Sequence, residues 1–213
     1  MTRADSVFSD LRHRIVEGQI PINSKLSEPE LAKYYQISRT TLRDALSRVE
    51  NCGLLQYKAN IGYSVVTLSK EKLMGIFQVR ESLESLACRL ATAQLNLTDI
   101  KQLKMQLQKK HIENAQPIAR AKHSVIDDYF YLHYQVVKAS QNALLVKLLN
   151  EQQFYLIKLY MTTFRPGYTR SSTDYQEYLT ILQAMENRDS ELAELLMRRH
   201  ISASCQYIQS AMP

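Results

Sequence analysis

The sequence predicts a mostly α protein in two parts: three helices closed by a two-stranded hairpin, then an all-helical bundle of about six helices. Three observations carry this. Apolar residues recur at helical spacing over most of the 213 residues, with only 5 Gly and 5 Pro to interrupt them. A stretch that reads as paired strands, 54–66, directly follows a pair of short capped helices. Beyond the linker Thr67-Leu68-Ser69-Lys70 no further strand pattern occurs, so the domains are read as 1–68 and 69–213.

The first helix is expected from Asp5 to Gly18, with Val7, Leu11 and Ile15 on its inner stripe and Gly18 as the C-cap. Pro21 and Asn23 bend the chain into a second helix. Ser27 caps it, and Glu30, three residues on, completes a capping box. Leu31 and Ala32 face inward and Gln36-Ile37 makes the turn. Ser38 caps the third helix, whose inner face carries Leu42, Ala45, Leu46 and Val49. Gly53 ends it. Leu54 to Tyr57 and Tyr63 to Val66 are the strands, joined by Ala59-Asn60-Ile61-Gly62. The bundle helices are expected at 71–94, 98–114, 118–140, 142–164, 172–187 and 189–210.

Composition narrows the function classes. A hydrophobic fraction of 45% indicates a packed protein, and a formal net charge of +6 with pI about 9.2 suits an acidic partner. Cys52, Cys88 and Cys205 are scattered without C-x-x-C spacing and read as thiols of a reducing compartment. Met1 to Asp10 is polar and no apolar run approaches about 18 residues, so the expectation is a cytoplasmic protein without a membrane partner.

On the third helix Arg39 and Arg43 point away from the apolar stripe, about 6 Å apart along the axis. A buried stripe with arginines on the exposed N-terminal half is what a helix that reads a DNA groove requires. An ordinary amphipathic helix with solvated arginines accounts for Arg48 alone.

The bundle carries polar groups on apolar stripes. Arg80 falls on the stripe Ile76, Arg80, Leu83, Ala87 and Leu90. An unpaired buried guanidinium is very costly, so it needs a partner. That partner is either a carboxylate of the chain, such as Glu84, or the carboxylate of a ligand. His133 shares a stripe with Ile126, Phe130 and Val137, and His200 with Leu192, Leu196 and Ala203. Such histidines are commonly satisfied core residues. No H-E-x-x-H, G-x-S-x-G or P-loop is present, which leaves little for an enzyme reading beyond a catalytic ion on His133 and His200.

The run L-S-E-P-E-L-A, then S-R-T-T-L-R-D-A-L, then G-L-L and a glycine-containing hairpin resembles the GntR family of bacterial transcription regulators. The segments Val79 to Ala87, Leu132 to Asn142 and Met197 to Ile201 resemble the FadR-type branch, with its all-helical (FCD-like) effector domain. The resemblance implies a winged helix-turn-helix over 1–68 and an effector-binding and dimerisation domain over 69–213. It places the family's DNA contacts on Ser38, Arg39, Arg43 and the wing-tip Gly62, and the candidate set is completed by Thr40, Thr41, Arg48 and Asn60. Pro29 stands where members usually carry one more DNA-contacting arginine.

Many members of that branch bind a divalent metal through an aspartate and three histidines. Here Tyr129 occupies the aspartate position and Tyr178 that of the middle histidine, leaving His133 and His200. Neutral phenols are poor ligands for zinc and its neighbours. The expectation is therefore a metal-free cavity of Arg80, Tyr129, His133, Tyr178 and His200 that binds a small organic acid by hydrogen bonds. A divalent metal such as zinc, on His133 and His200, is the other possibility. The implied partners are a double-stranded operator, a carboxylate effector and a second copy of the chain. A regulator without effector, whose bundle only dimerises, stays open.

Overall fold

The structure, a computed structural model, describes residues 2–115, 125–165 and 171–213, with side chains in these ranges except at 113–115, 125–129, 150–152 and 171. The elements are α1 (Arg3–Val16), α2 (Glu28–Tyr34), α3 (Arg39–Asn51), β1 (Leu55–Lys58), β2 (Gly62–Val65), α4 (Lys70–Gln94), α5 (Leu97–Ala115), α6 (Val125–Ala139), α7 (Ala143–Val146), a π-helical stretch (Lys147–Gln153), α8 (Phe154–Phe164), α9 (Ser171–Glu186) and α10 (Ser190–Gln209). The expected breaks at Pro117 and Pro166-Gly167 lie outside the described residues. Two compact units divide the chain: Met1–Ser69 with Glu151–Thr163, and Lys70–Asn150 with Phe164–Pro213.

In the first unit α1 starts two residues before the expected Asp5. Thr2 caps it and Asp5 answers in a complete capping box, the Thr2 amide donating to Asp5 Oδ2 at 2.7 Å. At α2 the box is half made: Ser27 Oγ accepts from the Glu30 amide at 3.5 Å. Val7, Leu11 and Ile15 meet Leu42, Ala45, Leu46 and Val49 in a closed core with Leu54 and Val65. Burial of each valine, leucine and isoleucine here contributes roughly 1.5–3 kcal/mol. The hairpin runs from Leu55↔Val65 to Lys58↔Gly62. Its outer edge is also taken, because Leu26 donates to the Tyr63 carbonyl and Val65 to the Ser24 carbonyl, both at 2.9 Å. Segment 24–26 thus lies beside β2, a pairing too short to leave an alternating pattern in the sequence.

The expected helix 142–164 is present from Ala143 to Phe164, with the π-helical stretch Lys147–Gln153 inside it. Its last part, α8 up to Thr163, belongs to the first unit. Phe154, Leu156, Ile157, Leu159, Tyr160 and Met161 are all buried, so α8 is apolar around most of its circumference and needs partners on several sides. Arg12 lies over the Tyr155 ring at 4.2 Å and donates to its hydroxyl at 2.7 Å. Thr162 donates to the Val16 carbonyl at 2.8 Å, and the Tyr160 hydroxyl bonds both the amide and the carbonyl of Ser69.

In the second unit α4 packs along α10 and against α6, while α9 packs on α5 and α10. The buried stripe of α4 is Leu73, Phe77, Arg80, Glu84, Ala87, Cys88 and Ala91. This corrects the expected stripe: Ile76, Leu83 and Leu90 are only half-buried, and Val79 and Leu86 are exposed. The apolar count misleads here because two inward positions are occupied by charges. α10 shows the same rotation, with Ala193, Met197, His200, Ile201 and Ser204 inside and Leu192 outside. No helix among the described residues is long and apolar enough to cross a membrane.

Candidate functional site

The DNA-facing candidates lie where α3 begins. Ser38 Oγ accepts from the Thr41 amide at 3.1 Å and shares a proton with Thr41 Oγ1 at 2.8 Å, closing the first turn. Arg39 and Thr40 are exposed and Thr41 half-buried. Gln36, at φ 51, makes the turn that sets α3 against α2. Arg43 is two-thirds exposed, and its Nε donates to Glu28 Oε2 at 2.7 Å. The hairpin tip places Asn60 at φ 63 and Gly62 at φ 90, left-handed backbone that asparagine and glycine tolerate best. A groove of about 320 Å³ opens between Ser27, Glu28, Pro29, Arg39, Arg43 and Gly62.

Arg48 is placed differently from the rest of the candidate set. Its guanidinium bonds Asp5 at 2.9 Å and lies over the Phe8 ring at 4.4 Å, so it faces α1. The Thr2 backbone and side-chain bonds, together with Arg48, lower the Asp5 carboxyl to about 2.

In the second unit a polar cluster crosses the bundle. Arg80 Nε donates to Glu84 Oε1, and Glu84 Oε2 lies 2.5 Å from His133 Nδ1. The Tyr178 hydroxyl is 3.0 Å from His133 Nε2, and His200 Nε2 is 3.2 Å from that same nitrogen. On its other side His200 Nδ1 meets Glu177 Oε2 at 2.6 Å, with Asp174 Oδ1 at 3.9 Å. Arg80, Glu84, His133 and His200 are fully buried. Of the five expected effector residues, Arg80, His133, Tyr178 and His200 are thus joined by this cluster, while the Tyr129 side chain lies outside the described residues. The intramolecular partner weighed for Arg80 is present: Glu84 bonds it.

Charge in the cluster is set by burial against partners. Burial works to raise the Glu84 carboxyl, but the Arg80 charge and the hydrogen bonds from Arg80 and His133 outweigh it and hold it at about 2. Burial pushes both imidazoles below 6.5, against the pull of Glu84 on His133 and of Glu177 on His200. Each neutral ring therefore keeps its proton on Nδ1, towards its carboxylate, and turns an Nε2 lone pair towards the other ring. Carboxylates behind two convergent histidines are the arrangement that also orients metal ligands. Two imidazole nitrogens could hold a divalent ion in part, and the phenol beside them is a poor ligand. A second group, Asp174, Glu177 and His200, brings its ligand atoms within 4.8 Å of one another.

Sequence reasoning missed Glu177 and Asp174 and gave Glu84 only as one possible partner. Asp174 is buried one helical turn before Tyr178 and ahead of Ile181, a stripe that the α9 sequence does carry.

Comparison with known proteins places both halves. Residues 3–65 match the family described as bacterial regulatory proteins, gntR family, and residues 75–203 match the FCD domain. The uncharacterized HTH-type transcriptional regulator YdhC of Bacillus subtilis (strain 168) is 24% identical over 211 residues, covering 96% of this chain and 90% of that protein. A probable D-xylose utilization operon transcriptional repressor of Paenarthrobacter nicotinovorans is 25% identical over 213 residues, covering 95% and 87%. Among solved structures, a putative transcriptional regulator GntR from Rhodococcus sp. RHA1 shares the fold with a TM-score of 0.79, at 16% identity and full coverage of both chains.

Proposed function

The chain belongs to the gntR family of bacterial regulatory proteins and carries an FCD domain behind its winged-helix head, and on that premise we propose that it is a cytoplasmic repressor that binds a palindromic operator as a homodimer and responds to a small organic acid. The family is one of transcriptional regulators, which sets the enzyme reading aside. The observation that carries DNA binding is α3, with Leu42, Ala45, Leu46 and Val49 buried and Arg39 and Arg43 exposed along its N-terminal half. Two heads related by two-fold symmetry call for half-sites about 34 Å apart, one turn of DNA. The name of the Paenarthrobacter relative supports the repressor sense.

Effector binding is assigned to the cluster of Arg80, His133, Tyr178 and His200, with Tyr129 as the fifth candidate. An acid entering there meets a guanidinium, a phenol and two imidazoles. A second reading follows from the 3.2 Å approach of the two Nε2 atoms: a divalent ion held by His133 and His200 would bring the acid's carboxylate into the cluster. The test is a thermal-shift screen of mono-, di- and tricarboxylates with and without a strong chelator. A ligand of the native state at a hundredfold excess over its dissociation constant adds about 2.7 kcal/mol. A shift that survives the chelator supports hydrogen-bonded acid, one abolished by it supports the ion, and no shift from any acid favours a bundle that only dimerises. Operator affinity measured with the active acid then gives the coupling between the two sites.

A further inference from the structure

Glu28 puts a negative charge on the face meant to meet DNA, where like charge opposes the phosphates. Its side chain is only 18% exposed and bonds Arg43 Nε through Oε2 at 2.7 Å. We infer that Glu28 is a specificity-determining positioning residue: it fixes the Arg43 guanidinium in the orientation that reads one base, and so sets the operator preference at that position. The inference rests on the DNA-binding role proposed above.

A free arginine side chain samples many rotamers, and ordering it on binding opposes complex formation. Glu28 orders Arg43 in advance. It uses Nε alone, which leaves Nη1 and Nη2 as the pair of donors that matches guanine O6 and N7. The carboxylate is itself held in place: it belongs to the first residue of α2, between the cap Ser27 and Pro29, whose ring fixes the local backbone. Proline brings no charge to the groove, so Arg39 and Arg43 are its cationic lining and the aim of Arg43 matters more. Glu28 also offsets the charge of Arg43 for a phosphate without removing its hydrogen bonds to a base. Non-specific attraction falls and the specific-to-non-specific ratio rises.

The test starts from a random double-stranded DNA library selected on the full-length chain. The recovered sequence and its single-base variants are then titrated by fluorescence anisotropy against wild type, Glu28→Ala, Glu28→Gln, Arg43→Ala and the Glu28→Ala/Arg43→Ala pair. Glu28→Ala should lower discrimination at one base position by about tenfold while affinity for random DNA rises. Glu28→Gln, which still offers a carbonyl oxygen to Arg43 Nε, should keep most of the discrimination. In the Arg43→Ala background, loss of Glu28 should change nothing at that position. If Glu28→Ala keeps every positional preference, or weakens all sequences equally with a lowered melting midpoint, the inference fails and DNA reading stands. If the wild-type chain enriches no sequence at all, operator reading itself fails and the inference with it.

Discussion

His133 and His200 face each other Nε2 to Nε2 at 3.2 Å, with Glu84 behind the first ring and Glu177 behind the second. The Tyr178 hydroxyl lies 3.0 Å from His133 Nε2, so a phenol and two imidazoles converge at this point. Both rings are fully buried, where a charge is costly.

Stability should therefore fall in mild acid. In the unfolded chain both histidines protonate near 6.5, whereas burial holds them below it in the fold. Below that value the unfolded state binds more protons, so the stabilisation is complete above about pH 6.5 and declines as pH drops. A second decline follows as Glu84, held at about 2 against an ordinary 4.5, nears protonation. Urea midpoints measured with chelator present should drop between pH 8 and pH 5.5, and His200→Gln should flatten that drop. Equal midpoints at the two pH values in wild type would contradict the neutral, buried assignment.

Glu84 is the joint of the cluster, bonded to Arg80 on its own helix and to His133 on α6. Removing its charge breaks the buried ion pair with Arg80, so Glu84→Gln should cost about 3–5 kcal/mol. Replacing both ends by apolar residues, Arg80→Met with Glu84→Leu, should cost less than the sum of the two single changes. Chemical denaturation of the four proteins checks this. Additive losses would mean the two side chains do not share one interaction.

The sequence disclosed the head more fully than the cluster. Ser38 as a cap and the stripe from Leu42 to Val49 are local patterns, repeated at fixed spacing within one helix. The Asn60-Ile61-Gly62 tip is also local, since its left-handed residues advertise themselves. Glu84 is different: in sequence it resembles any solvated acid, and with Arg80 it rotates the apparent stripe of α4 by about one residue, 100°. Glu177 and Asp174 join the cluster through a histidine on another helix, a relation that their own helix does not show. The place of α8 was hidden for a similar reason. Arg12 and Tyr155, which bind it to the head, stand 143 residues apart in the chain.

The partnership of α8 with the head can be tested at Gly53. This residue ends α3 at φ 73, and a Cβ there would lie 3.3 Å from Leu156 Cδ2. Gly53→Ala should destabilise by at least 1 kcal/mol from backbone strain, with the Leu156 contact added. Leu156→Ala should cost about 2–5 kcal/mol as a core truncation. Because the second change removes the atom that the first collides with, the double variant should lose less than the sum. Hydrogen exchange at the Leu46 and Val49 amides, read in full-length protein, reports the head directly. Unchanged protection in Leu156→Ala would detach α8 from the head.

Arg39 and Arg48 lie on the same helix and should respond in opposite ways. Arg39 is exposed at the start of α3, whereas Arg48 is tied to Asp5 and Phe8 of α1. Arg39→Ala should leave the melting midpoint unchanged and cost about 1–3 kcal/mol of operator affinity if the side chain reads a base. Arg48→Ala should lower head stability by about 1 kcal/mol, since the ion pair is well exposed and the ring contact supplies most of the rest. Its operator affinity, measured well below the melting midpoint, should match that of wild type. Anisotropy titrations with thermal melts of both variants separate the roles. Lost operator affinity in Arg48→Ala at unchanged stability would return Arg48 to the DNA-contacting set.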